Sequence, residues 1–365
     1  MEDNNPAQSL GIVLVVGGSG FIGTHVVQAF LDEPSCTAVH VVSKKPPRAP
    51  LQSPKIEYHQ GNVTDLGAMQ TIINKVNPRV ILNLAYPGDL AKDRVLKQVV
   101  VNGTKNLLQC AAENTSVEAF VYTSTQHVAR MSDKEINEEA HVWTEADKVN
   151  PYVKNKAIAE TIVLGANSES LRTASVRVPG IYGEAHCLMI DGQLKRLRKG
   201  EHKVQIGDNS RLFAFIYAPS AASAHVLTAK ALLAGKNDPK APKVDGEAFF
   251  ISDGVDRPFW DIVRDILAAA GDKTPKEQIK TIPFGLVLFL AKLGEWSYWV
   301  FTLGRKEPEL RASDLEYLRE GSHFSIDKAR TRLGYRPLLD QEEAIRRSVK
   351  WSLEHEHENV EIKRQ

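Results

Sequence analysis

Gly11-Ile12-Val13-Leu14-Val15-Val16-Gly17-Gly18-Ser19-Gly20-Phe21-Ile22-Gly23 decides how this chain folds. The unbroken run Gly11–Val16 suits a strand buried on both faces of a parallel sheet. The glycines that follow, and a helical pattern reaching about Phe30, predict a strand–turn–helix unit. Gly17 permits the tight turn, Gly20 lets backbone approach a pyrophosphate, and Gly23 allows close packing of helix on strand. Ser19, Phe21 and Ile22 complete a cradle at a helix N-terminus, where negative charge is stabilised. A purely structural glycine turn is the competing reading. The position between a buried strand and a helix favours dinucleotide binding.

Outward from that unit, further buried runs at Val39–Ser43, Lys55–His59, Val80–Ala85, Ala119–Thr123 and Ala174–Val178 alternate with helical stretches. Alternation of this kind predicts an α/β fold with a doubly wound parallel sheet of Rossmann type, whose ligands bind at the carboxyl ends of the strands. Residues 1–190 form the expected nucleotide-binding domain, and 191–365 a smaller, mostly helical substrate region. Segments near 210–225 and 246–253 are expected to return to the first domain. Val204–Tyr217 looks like a strand pair turning at Asp208-Asn209, and Ala218–Leu233 like a helix. Phe259 and Trp260 read as core.

Composition removes several classes. The chain has 365 residues, 42% hydrophobic and 25% charged, with 46 Lys+Arg against 45 Asp+Glu and a net charge of +1. Such a balance gives no electrostatic case for nucleic acid, which would need clustered excess positive charge. Mean hydropathy is −0.27, and no uncharged run is long enough for an ordinary transmembrane helix. Cys36, Cys110 and Cys187 are too few and too widely spaced for a disulfide framework or a zinc site. His355 and His357 in the charged tail lack a third ligand nearby, so no metal is expected from the sequence. The polar start Met1–Asn5 does not read as a secretory signal, and a cytoplasmic location is expected.

The end of the second strand bears on which dinucleotide binds. An NAD site usually presents Asp or Glu there to the ribose 2′-hydroxyl. This chain has Ser43-Lys44-Lys45, with Arg48 beyond. A 2′-phosphate would meet no carboxylate and one or more cations, so NADP is favoured over NAD.

A second motif supplies chemistry. Asn150 is a good N-cap and Pro151 suits a first helical position, so Tyr152 and Lys156 fall one turn apart on one helix face. Thr123-Ser124-Thr125 ends the fifth strand, at the edge where a ligand would lie. Interconverting an alcohol and a ketone needs a group that takes or gives the hydroxyl proton. Bringing a tyrosine from its usual pKa near 10 towards 7 costs roughly 4 kcal/mol. An adjacent ammonium and an oxidised nicotinamide both stabilise the phenolate. Thr125, Tyr152 and Lys156 are therefore the candidate catalytic set.

Taken together, these stretches resemble an extended short-chain dehydrogenase/reductase. More narrowly, they resemble the 3β-hydroxysteroid dehydrogenase family, and within it the decarboxylating sterol-4α-carboxylate 3-dehydrogenases. The likeness rests on both motifs and also on Gly61–Asp65, Val101–Asn106, Val121–Thr125, Lys156–Glu160, Arg177–Gly183, Gln205–Asn209, Gly246–Ile251 and Leu333–Pro337. It implies that Asn62 and Val63 line an adenine pocket, that Ala85 passes near the adenine ribose and pyrophosphate, and that Pro179 and Ile181 meet the nicotinamide carboxamide. It also implies oxidation of a 3β-hydroxyl and, with a 4α-carboxylate present, loss of carbon dioxide. The chain departs from the family pattern at Ser43, Asn62, Ala218–Ser220 and Glu184–His186.

Weaker signals concern substrate and surroundings. Tyr86, Gln126, His127 and Tyr182 are candidate substrate contacts. The segment 282–303, with Trp296, Tyr298, Trp299 and Phe301, is apolar and aromatic. It either covers a substrate pocket or lies in a membrane interface, which would place the protein peripherally on the endoplasmic reticulum membrane. A hydrophobic polycyclic substrate of sterol or terpenoid type is the leading expectation, and a homodimer is left open. The alternatives are a ketoreductase of secondary metabolism resembling flavonoid reductases, a nucleotide-sugar epimerase, or a non-catalytic dinucleotide sensor.

Overall fold

A computed structural model describes residues 9–356, other than 48, 89–90, 133, 186, 239 and 303–311. Arg48, His186 and His357 lie outside the described residues.

The strands that form the main sheet are β1 (Gly11–Val16), β2 (Cys36–Ser43), β3 (Ile56–Gln60), β4 (Val80–Asn83), β5 (Ala119–Thr125), β6 (Arg172–Val178) and β7 (Glu247–Phe250). Their order is β7-β6-β5-β4-β1-β2-β3, parallel throughout. The expected doubly wound parallel sheet is therefore present. Why the strands read as unbroken apolar runs is visible in β1. Val13 and Val15 enter one core, Leu14 and Val16 the other, and all four are fully buried. Helices α1 (Phe21–Asp32) and α6 (Ala218–Asn237) cover the first face, whose core includes Val26, Phe30, Ala222 and Leu232. Helices α2 (Leu66–Val76), α3 (Gly103–Glu113) and α4 (Pro151–Gly165) supply Met69, Ile73, Leu107 and Val163 to the second.

Strand order reverses between β1 and β4. A parallel sheet opens a crevice at such a point, beyond the carboxyl ends of the two strands. Glycine packing keeps this one tight at its base. A Cβ on Gly17, whose φ is +84°, would stand 2.9 Å from Leu84 and Ala85 backbone. A Cβ on Gly23 would stand 2.4 Å from Gly17 O. No side chain fits at either place.

The C-terminal lobe contains α5 (Leu188–Arg198), α7 (Phe259–Ala269), α8 (Phe284–Thr302), α9 (Ala312–Glu320) and α10 (Gln341–Glu354). Its core joins Ile190, Phe213, Phe215, Ile262, Ile266, Ile345 and Val349. Trp260 is buried, and Phe259 is half-buried against the Phe213 ring, so the core reading of both fits. The expected strand pair within Val204–Tyr217 does not form, and each piece pairs elsewhere. Val204–Ile206 joins Lys280–Ile282, Leu212–Phe213 joins Arg257–Pro258, and Phe215–Tyr217 joins Gly180–Tyr182. The reason lies at the turn. Asn209, with φ +61°, donates to Asp261 Oδ1 and accepts from Trp260 N, so the loop is tied to α7 and never closes a hairpin.

Candidate active site

The glycine bend joins the end of β1 to α1. Gly20 caps α1 with no side-chain hydrogen bond, leaving the first turn's backbone N–H groups uncapped. Space at Gly20 is open, with only Gly17 O within reach of an added Cβ, at 3.4 Å. Ser19 N donates to Ser43 Oγ at 3.2 Å, so the hydroxyl at the end of β2 holds the bend in place. Ser19 Oγ itself is buried without a protein partner. An open approach to backbone, uncapped N–H groups and an orphaned hydroxyl fit the diphosphate of a dinucleotide. Phe21 and Ile22 are half-buried, while Lys44 and Lys45 are exposed just beyond Ser43.

The opposite wall is the turn after β4. Buried Asn83 donates to Thr104 Oγ1 at 2.9 Å and accepts from Ala85 N at 3.1 Å, which fixes where Ala85 passes. Asn62 Oδ1 accepts from Thr64 N, and Asn106 Nδ2 donates to Val63 O at 2.9 Å. Val63 sits so close to α3 that a Cβ on Gly103 would fall 2.6 Å from its methyl carbon.

Helix α4 begins as its sequence predicts. Asn150 Oδ1 accepts from Tyr152 N at 2.8 Å, and Pro151 occupies the first turn. One turn on, Lys156 is buried and its Nζ donates to Thr123 O on β5 at 2.8 Å. The ammonium also lies 5.0 Å from the Tyr122 ring centre and 6.0 Å from that of Tyr86, whose ring packs edge-on against Tyr152 at 5.2 Å. Burial lowers the Lys156 pKa to about 8, opposed by the Glu160 carboxylate one turn further along α4. Glu160 is itself buried, accepting from Ser175 Oγ and from Arg177 at 2.6 Å.

Thr125 is buried at the last position of β5, and its Oγ1 accepts from His127 N at 3.5 Å. Thr123 Oγ1 meets His225 Nε2 of α6 at 2.8 Å, while His225 Nδ1 lies 2.7 Å from Ala221 O. Burial pushes His225 down to about 4, so the ring is neutral, donating from Nδ1 and accepting at Nε2. The strand end is thus fastened to helices on both sides. Ser124 Oγ, Gln126 Oε1 and the Tyr122 hydroxyl are buried without protein partners nearby on the same strand end.

The remaining candidates divide. Tyr86 is exposed. Gln126 is buried and its Nε2 donates to His127 Nε2 at 3.1 Å. Burial lowers His127 to about 4, and its ring contacts Tyr317 at 5.3 Å. Tyr182 is fully buried and donates to Asp253 Oδ2 at 2.7 Å, so that side chain is committed to the core. Pro179 is buried and Ile181 half-buried on the connection leaving β6. The sequence points to Thr123 only as part of the strand-end Thr123-Ser124-Thr125 and gives no role to Tyr122, Glu160 or His225. Only Glu160 left a signal, its i+4 spacing from Lys156.

Beyond Tyr317, whose ring also packs on Phe213 at 5.0 Å, the lobe holds a cavity of about 480 Å³. Phe213, Phe259, Phe284 and Leu318 line it, with Arg211 and Arg319 at its polar parts.

Residues 14–281 match the model of the 3-beta hydroxysteroid dehydrogenase/isomerase family. The chain belongs to that family. It is therefore a dehydrogenase built on the extended short-chain plan. Among curated relatives, sterol-4-alpha-carboxylate 3-dehydrogenase, decarboxylating, of Gibberella zeae is 37% identical over 78% of this chain and 94% of its own. The Schizosaccharomyces pombe enzyme of the same name is 33% identical over 93% and 96%. A 3-beta-hydroxysteroid dehydrogenase of Mycolicibacterium neoaurum is 28% identical over 94% and 92%. Among solved structures, a Bacillus anthracis dTDP-glucose 4,6-dehydratase in complex with NAD superposes with TM-score 0.71 over 95% of this chain and 97% of its own, at 17% identity. A likeness at that identity reports the fold.

The depressed Lys156 value makes the candidate Tyr152/Lys156 pair testable by its pH dependence. Above about pH 8 the amine loses its charge and the neighbouring phenol loses a stabilising cation. The pH profile of kcat/KM for alcohol oxidation is expected to fall on its alkaline side near that value. In Glu160→Gln, which removes the carboxylate that raises Lys156, the fall moves to lower pH.

Proposed function

We propose that this protein oxidises the 3β-hydroxyl of a 4α-carboxylated sterol, or of a closely related polycyclic substrate, using NADP in preference to NAD. The observation that carries the proposal is the buried Lys156 ammonium, anchored to the end of β5 one helical turn from Tyr152 and beside the dinucleotide crevice. A nicotinamide held in the crevice would supply the hydride acceptor. Tyr152, as phenolate, takes the hydroxyl proton of the substrate while hydride leaves the carbinol carbon. Lys156 lowers the cost of that phenolate. Two opposite charges about 4 Å apart interact by about 4 kcal/mol at an effective dielectric near 20, comparable to the cost of bringing a tyrosine to neutral pH. Thr125 orients the reacting oxygen by a hydrogen bond. The product is a β-keto acid. Its C4–carboxylate bond breaks, carbon dioxide leaves, and the electron pair passes into the ketone as an enolate that a proton then quenches.

In this assignment Gly17, Ser19, Gly20, Phe21, Ile22 and Gly23 hold the diphosphate, and Asn62, Val63, Ala85, Pro179 and Ile181 line the rest of the dinucleotide. Ser43 presents no carboxylate to a 2′-phosphate, and Lys44 is exposed beside it. Tyr86, Gln126 and His127 lie at the substrate end. The cavity beyond Tyr317, with Phe213, Phe259, Phe284 and Leu318 in its wall and Arg211 and Arg319 at its polar parts, supports a ligand that combines a hydrocarbon frame with an anionic group.

Helix α8 supports attachment to a lipid surface. Leu286, Phe289, Leu290, Leu293 and Trp296 recur at helical spacing and are roughly half exposed or more, while Val287 and Ala291 on its other side are buried against Leu315. No helix among the described residues is long and apolar enough to cross a membrane. The face is suited to lying in an interface, where Trp and long apolar side chains are favoured.

Three outcomes test these assignments. Tyr152→Phe should lose roughly 10²–10⁴-fold in kcat on a 4α-carboxysterol while still binding dinucleotide; full turnover would remove Tyr152 from the chemistry. Ser43→Asp should invert the ratio of NADPH to NADH affinity, read by titrating cofactor fluorescence, and an unchanged ratio would end the NADP assignment. The protein should co-float with phospholipid vesicles, and replacing Leu293 and Trp296 with Glu should leave it at the bottom of the gradient. A wild-type protein that stays there as a dimer would assign the face to a second copy instead.

A further inference from the structure

Away from the crevice, one face of the sheet edge gathers side chains that the dehydrogenase chemistry does not use. His40 on β2 is in register with Glu57 on β3, and His59 lies two residues on from Glu57. Alternate residues of a strand share a face, so all three project together. Their donor atoms converge. His40 Nδ1 is 2.8 Å from His59 Nε2, and 3.6 Å from Glu57 Oε2. His59 Nε2 is 3.6 Å from Glu57 Oε1.

Those separations fit a recognisable figure. Nitrogen and oxygen ligands about 2.0–2.2 Å from a tetrahedral zinc ion stand roughly 3.3 Å from one another. The two nitrogens stand 2.8 Å apart and each has a different Glu57 oxygen at 3.6 Å, so a rotation of the half-exposed carboxylate that presents one oxygen to both, with a small parting of the rings, brings three donors onto one face of a tetrahedron. We propose that His40, Glu57 and His59 form a binding site for a divalent transition-metal ion of the zinc class, with the fourth position taken by water. Two imidazoles and one carboxylate suit zinc, cobalt, nickel or copper, and disfavour magnesium or calcium, which take oxygen ligands.

The surroundings keep the donors in the form a metal needs. Burial holds both histidines below their ordinary value, which favours the neutral form that a metal binds. A hydrogen bond from Lys75 holds the Glu57 carboxyl below its usual range. Lys75 on α2, with Nζ 3.2 Å from Glu57 Oε1, is the cation that faces the cluster and competes with the ion. Its side chain is 67% exposed, so it leaves into solvent at little cost. Without metal, one imidazole donates to the other and their rings stack at 5.2 Å. With it, the ion bolts β2 to the edge strand β3, on the strand that ends at Ser43. A ligand bound only by the folded chain raises thermal stability by mass action.

The test uses the full chain without a polyhistidine tag, freed of metal by chelation. Titration with zinc should show a single saturable equivalent and a raised melting temperature. Cobalt should give the visible absorption of a four-coordinate ion. His59→Gln and Glu57→Gln should each weaken zinc binding by about tenfold or more. Lys75→Ala should tighten it. Glu57 is half exposed, so its variant reports on ligation without disturbing packing. Zinc binding that persists unchanged in the double variant His40→Gln/His59→Gln, or no saturable binding by the parent chain, would overturn the proposal. Dinucleotide binding, followed in parallel, should be unaffected in Glu57→Gln.

Discussion

Lys156 is a cation taken out of water, and the arrangement of the candidate site follows from how the fold tolerates it. A buried ammonium is costly unless it is paired and hydrogen-bonded. Here it donates to Thr123 O, sits against the Tyr122 ring and has the Glu160 carboxylate one turn away. Glu160 cannot move to follow it, because Ser175 and Arg177 on β6 hold both of its oxygens. One helix face therefore carries Tyr152, Lys156 and Glu160 in sequence, fastened to two neighbouring strands. That arrangement sets the field at the end of β5 before any ligand arrives, which is what electrostatic preorganisation requires.

The crevice beside it depends on an opposite constraint, the removal of side chains. Gly17, Gly18 and Gly23 stand where a Cβ would collide with Leu84, Val41 or Gly17 O. This closeness lets the first turn of α1 and the turn after β4 meet at the point where strand order reverses. Asn83 stiffens one side through Thr104 and Ala85, and Ser43 stiffens the other through Ser19 N. The C-terminal lobe adds a cavity of mixed lining, reached from His127 through the rings of Tyr317 and Phe213.

The same strand pair that ends at Ser43 also bears His40, Glu57 and His59. No spacing rule finds that cluster, since its histidines are 19 residues apart and belong to different strands. Of the two tail histidines only His355 is among the described residues, and its ring stacks on Trp351 at 4.1 Å.

By itself, the sequence determined the local elements and the groups they carry. The β-branched run of β1, the glycine bend, the Asn150-Pro151 start of α4 and the Tyr152/Lys156 spacing are short-range features, governed by backbone sterics and by residues one turn or two positions apart. Only the tertiary structure decided which distant groups meet. The pairing of Lys156 with Thr123, of Glu160 with Arg177, of Thr123 with His225, and of each piece of Val204–Tyr217 with a different partner all arise between segments far apart in the chain. Such contacts are selected by the packing of whole elements and by the need to satisfy buried polar groups, and neither quantity exists until the chain has folded.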